Sequence, residues 1–141
     1  MTVCGIDIRG KDIILAIGKL NAAGHFQGTA APGKIPIADE NDPGQLRAVK
    51  AALEALLREH QVERIGIKAR PNKGQFAAGA ASFKLEAIIQ LNEVCPATIL
   101  HPMTIKAALK KAIVLPPPKI NKYAEDALQV AATIALKTAA L

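Results

Sequence analysis

Aromatic residues are scarce in this 141-residue chain: three Phe, one Tyr and no Trp, 3% of the sequence. That scarcity argues against a nucleic-acid surface built by stacking bases on an aromatic platform. It also leaves the core to Ile, Leu, Val and Ala, within an apolar fraction of 50% that is ordinary for a globular protein. Cysteine is nearly absent. Cys4 and Cys95 have neither metal-ligand spacing nor the density of a disulfide scaffold, and both sit among apolar neighbours, as reduced, buried cysteines of a cytoplasmic protein do. No uncharged apolar run approaches the roughly 18 residues of a membrane-spanning helix. A secretory leader is not expected either, because Asp7, Arg9, Lys11 and Asp12 interrupt any apolar stretch near the start. The expected location is the cytoplasm, with no membrane partner.

Negative charge is missing from two segments. Residues 64–84 carry Arg64, Lys68, Arg70, Lys73 and Lys84 without an acid, and residues 104–122 carry Lys106, Lys110, Lys111, Lys119 and Lys122 without one. Of 18 Lys and Arg, those ten leave eight basic residues against twelve acidic ones elsewhere. The net charge of +6 is therefore concentrated. Such a concentration fits an anionic partner such as nucleic acid, and equally a solvated basic face. Phosphate-loop and nucleophile motifs are also missing. The stretch from Gly74 to Gly79 fits neither the Walker nor the Rossmann pattern. Ser82 and the cysteines have no base at a recognisable spacing.

What the chain does contain is a regular succession of elements, read as one domain over residues 1–141. Residues 2–9 form a strand that is apolar on both faces, as in the middle of a sheet. Residues 13–20 and 25–31 follow as antiparallel strands, then a loop over 32–44 rich in Pro, Gly, Asp and Asn. Asp42 with Pro43 starts a helix that ends near His60. Residues 62–69 make a strand parallel to the first, reached by a right-handed crossover. A helix over 80–93 with Phe83, Ala87, Ile88 and Leu91 as its apolar stripe leads to a strand at 97–101 and a helix at 103–111. Pro116, Pro117 and Pro118 form a semi-rigid spacer before a last helix, capped by Asn121 and running to about Thr138.

Asp7 stands out in this scheme. A carboxylate inside an apolar strand costs several kcal/mol or more unless it is paired, hydrogen-bonded or bound to metal. The last helix opens with two further acids, Glu125 and Asp126.

Gly5-Ile6-Asp7, together with Ala124-Glu125-Asp126-Ala127-Leu128-Gln129-Val130-Ala131, resembles the first strand and last helix of RuvC-type Holliday junction resolvases. The order of the intervening elements, through Ile65-Gly66-Ile67-Lys68 and Ile105-Lys106, is similar too. The likeness is to a bacterial branch of RuvC-like proteins carried as a domain of unknown function. It implies an α/β, ribonuclease H-like fold, in which a mixed five-stranded sheet of a three-strand meander and two parallel strands is flanked by helices. It also implies metal-dependent phosphodiester chemistry, in which clustered acids hold two Mg²⁺ or Mn²⁺ ions about 4 Å apart. Position by position, Asp7 and Asp126 match metal ligands and Lys106 matches a family lysine.

Two acids of that pattern are absent. Lys68 stands where the fourth strand of such proteins ends in Glu, and Tyr123 stands three residues before Asp126 where another acid is expected. Lys68 can take the metal's place by pairing with Asp7. Glu125 points about 100° away from Asp126 and is a weaker ligand candidate, and Glu86 lies one helix away. The expected site is therefore Asp7, Lys68, Glu125 and Asp126. Arg70, Lys73 and Lys84 would contact phosphates at one rim, with Lys106, Lys110 and Lys111 at the other.

Three readings follow: a nucleic-acid-binding domain with a degenerate, metal-free site; a metal-dependent phosphodiesterase of the Holliday-junction type built on Asp7 and Asp126; and a structural or protein-interaction domain on the same scaffold. The partner expected for the first two is DNA, with branched DNA included. A homodimer is implied only by the resemblance.

Overall fold

The fold grows from a strand that serves two cores. In the computed structural model, which describes residues 1–70 and 79–140, β1 (Thr2–Arg9) sends Cys4, Ile6 and Ile8 into one core and Val3 into the other. Gly5 and Asp7 share the phase of Val3, because strand side chains alternate. β2 (Asp12–Leu20) pairs antiparallel with β1 from Val3 opposite Gly18 to Arg9 opposite Asp12, closing a tight hairpin at Gly10, whose φ is +60°.

β3 (Phe26–Pro36) pairs antiparallel with β2, and it is longer than the 25–31 expected from sequence. The register shifts twice around Ile17, which makes room for Pro32 and for Gly33 at φ +101°. A bulge tolerates a proline that cannot donate to the ladder, so a stretch that reads as loop is strand.

α1 (Pro43–Glu59) starts where Asp42 accepts a hydrogen bond from the Gly44 amide at 2.9 Å. It crosses over to β4 (Val62–Lys68), which is parallel to β1. α2 (Ala80–Gln90) leads to β5 (Ala97–Leu100), parallel to β4. The buried stripe of α2 is Ala81, Leu85, Ile88 and Ile89, whereas Phe83 is 38% exposed and Leu91 67%. The helix is thus rotated from the expected phase, because Ala81, Leu85 and Ile88 complete a longer i, i+4, i+7 series.

α3 (Pro102–Leu109) is followed by a short strand not anticipated from sequence, β6 (Val114–Leu115), which pairs parallel with β3. The sheet therefore has six strands, in the order β5-β4-β1-β2-β3-β6. The proline spacer lies over β3, since a Cβ at Gly28 would meet Pro117 and Leu128. It delivers the chain through a 3₁₀ turn (Lys122–Ala124) to α4 (Glu125–Ala139). Asn121 makes no capping bond; its side-chain amide donates instead to the Tyr123 hydroxyl at 3.1 Å.

Residues of α1 and α2 fill the core on one face of the sheet, and residues of α3 and α4 fill the other. β1 and β4 lie between them, and their C-terminal ends open on the α3–α4 side. Among the described residues no helix is long and apolar enough to cross a membrane.

Candidate functional site

Small residues determine how close the site's elements come. A Cβ at Gly5 would fall on the Ala127 carbonyl oxygen and the Ala131 amide, so the backbone of α4 rests directly on β1. Ala124, Ala127, Ala131 and Ala135 give the helix a buried face of minimal side chains. Gly66 pairs with Gly5 across β1 and β4, and a Cβ there would lie 3.1 Å from Leu100 and Val130 side-chain atoms. This close packing leads to the site by simple counting. Asp7 and Lys68 follow the two glycines by two residues each and share their face. Asp126 precedes Ala127 and comes down over the same strand ends.

The carboxylates are held by cations. Arg9 Nε donates to Asp7 Oδ2 at 2.8 Å, and Arg9 Nη2 donates to Asp126 Oδ2 at 3.0 Å. Lys68 Nζ donates to the same Asp126 oxygen at 3.2 Å. Beside them Arg70 Nε and Nη2 donate to Glu86 Oε2 at 3.2 and 3.0 Å, and Nη2 also donates to the Lys68 carbonyl. Asp7, Glu86 and Asp126 are thus matched by Arg9, Lys68 and Arg70. Asp7 is 5% exposed, which makes the guanidinium of Arg9 its answer to desolvation.

The electrostatics follow the geometry. Burial pushes the Asp126 carboxyl up, but the hydrogen bonds and charges of Lys68 and Arg9 outweigh it and hold the group below its ordinary value. The bond to Asp7 raises Arg9. Burial lowers Arg70 against the charges of Glu86 and Asp7.

Several expectations need correction. Lys68 pairs with Asp126 rather than with Asp7, because Arg9 on Asp7's own strand already bonds that carboxylate. Arg9 is a site residue absent from the sequence expectation, although its position two residues after Asp7 puts both on one face. Glu125 is exposed on the first turn of α4, outside the cluster. Tyr123 turns toward β3, its ring 4.8 Å from Lys34 Nζ.

The two basic rims are also built differently. The Arg70 side chain is only 4% exposed and is committed to Glu86. Lys84 donates to the Glu40 carbonyl at 3.1 Å and to Asn41 Oδ1 at 2.9 Å, tying α2 to the loop before α1. Lys73 lies outside the described residues. Lys106 on α3 and Lys110, which caps its C-terminus, are one turn apart and line a cleft of about 330 Å³ together with Lys68 and Asp126. Lys111 instead lines a separate groove with Lys137.

Both candidate ligands already accept from cations at 2.8–3.2 Å, and a metal between them would face Arg9 and Lys68 across the same oxygens. Among the described residues no three His, Cys, Asp or Glu side chains converge on one point.

The sequence profile of a family described as "Protein of unknown function (DUF3010)" matches residues 1–134. No curated protein sequence matches the chain. Among solved structures, Thermus thermophilus RuvC is similar at 18% identity and a TM-score of 0.71, covering 99% of this chain and 96% of that one. The same protein in complex with a Holliday junction substrate gives 16% identity and a TM-score of 0.73, with the same coverage. A yeast mitochondrial Holliday junction resolvase gives 13% and 0.60, covering 96% of this chain and 82% of its own. The shared property is the ribonuclease H-like fold.

Proposed function

The chain belongs to the DUF3010 family, and from that premise we propose that it is a RuvC-like nucleic-acid-binding domain whose metal site is replaced by ion pairs. The observation that carries this reading is the bridge from Asp7 through Arg9 to Asp126, with Lys68 on the same Asp126 oxygen. Protein cations stand where phosphodiester chemistry needs metal ions. The ligand would be DNA held by its phosphates, at Lys106 and Lys110 first. Branched junctions are the first DNA to try, because one similar structure is RuvC bound to a Holliday junction.

Calorimetric titration with Mn²⁺ tests the site. No saturable binding at millimolar Mn²⁺ is expected for the wild type. Saturable binding that Asp7→Asn abolishes would overturn the metal-free site and favour a phosphodiesterase built on Asp7 and Asp126, a reading supported by their convergence on one guanidinium. Binding to labelled junction and duplex DNA at low salt tests the partner. Affinity should fall steeply with added salt, since each neutralised phosphate contributes about 0.9 to the slope of log K against log salt. Failure to bind DNA or RNA at low salt would leave the structural or protein-interaction reading.

A further inference from the structure

The cleft beside the ion pairs has two kinds of lining. Pro102, Ile105, Leu109 and Val130 give it apolar walls from two helices, while Lys68, Lys106 and Lys110 supply positive charge. Its one acid, Asp126, is already held by Arg9 and Lys68. Gln129 adds a neutral amide that can donate and accept at once. The volume of about 330 Å³ lies within the range of small-ligand sites. A phosphate alone would use the lysines and leave the walls unused. An apolar peptide would use the walls and leave the lysines uncompensated. A nucleoside phosphate uses both.

In an intact duplex the faces of each base are stacked on their neighbours, so only an unpaired nucleotide has a base to offer. We infer that the cleft takes one unpaired nucleotide of a DNA strand, with its base against Pro102, Ile105 and Leu109, its phosphate at Lys106 and Lys110, and Gln129 bonded to the base edge. This deepens the nucleic-acid-binding reading and rests on it. Aliphatic walls do the desolvating that aromatic rings do elsewhere, which suits a chain with so few rings.

The test is fluorescence anisotropy at low salt with two labelled duplexes, one fully paired and one with a single unpaired thymidine at its centre. The unpaired DNA should bind about tenfold more tightly, the scale of removing roughly 55 Å² of apolar surface from water. Leu109→Trp, which fills the cleft, should bring the ratio of the two affinities close to one. Gln129→Ala, at an exposed helix position, should reduce the ratio a few-fold and serves if the tryptophan variant does not fold. Equal affinities for the two wild-type complexes, with salt-sensitive binding intact, would overturn the inference and leave the broader reading standing. A preference that survives both substitutions would overturn the cleft as its source. Tighter binding of free thymidine 5′-monophosphate than of the unpaired DNA would overturn the strand as the ligand. No binding to either duplex would overturn both readings.

Discussion

Asp126 accepts from two cations through one oxygen, and this determines how it contributes to stability. Its folded value lies below the ordinary 3.8, so its contribution is fully present above the unfolded value and is lost as pH falls through the folded one. The side chain is 37% exposed, and screening limits the contribution to about 1 kcal/mol or less. Lys68→Met should therefore shrink the stability lost on acidification below about pH 4, as read by urea midpoints across pH. Arg70 and Glu86 are more deeply placed, with side chains 4% and 14% exposed. Glu86→Gln leaves a buried guanidinium without its counter-charge and should cost about 3 kcal/mol in urea unfolding. A loss below about 0.5 kcal/mol would mean that the Lys68 carbonyl alone satisfies Arg70.

Helix α4 is positioned by what its contacts lack. Gly5→Ala would drive a methyl into helix backbone, which cannot yield as a side-chain tip can, and should cost about 3 kcal/mol or more or prevent folding. Gly66→Ala meets the side chains of Leu100, Val130 and Ile134 at 3.1–3.2 Å, which can shift by a few tenths of an ångström. Its cost should be smaller, about 1 kcal/mol, and comparing the two urea midpoints checks the order. The elements with strong local signals were legible in the sequence. Asp42-Pro43 placed the start of α1, and the apolar run over residues 2–9 placed β1. β3 is longer than its sequence predicts because its bulge is a property of the pairing with β2. β6 leaves no sequence signal because two residues, Val114 and Leu115, carry no period of their own.

At the scale of the whole molecule, a net charge of +6 is sorted by the fold into different roles. Lys106 and Lys110 face one cleft, Lys84 ties a loop, and Arg70 is buried. Lys106→Ala combined with Lys110→Ala should lower the slope of log K against log salt by about 2, if each lysine meets one phosphate. Lys84→Ala should leave that slope unchanged and lower stability slightly. Equal slopes for the double variant and the wild type would remove the cleft from the DNA interface.

The sequence alone determined the order of the main elements, the central place of β1 and the three residues Asp7, Lys68 and Asp126 that the site brings together. The element order, the place of β1 and Asp7 follow from period, turn chemistry and the cost of burying a charge, all of which are local, whereas Lys68 and Asp126 were marked only by the resemblance to RuvC-type resolvases. Which cation meets which carboxylate was decided only in three dimensions. Arg9 reaches Asp126 because the glycine of β1 lets α4 descend, and Arg70 is consumed by Glu86 because α2 packs with a phase set by the whole core. The same formal charge on a lysine or arginine can hold a helix, neutralise a buried acid or await a phosphate, and only the tertiary neighbours distinguish these roles.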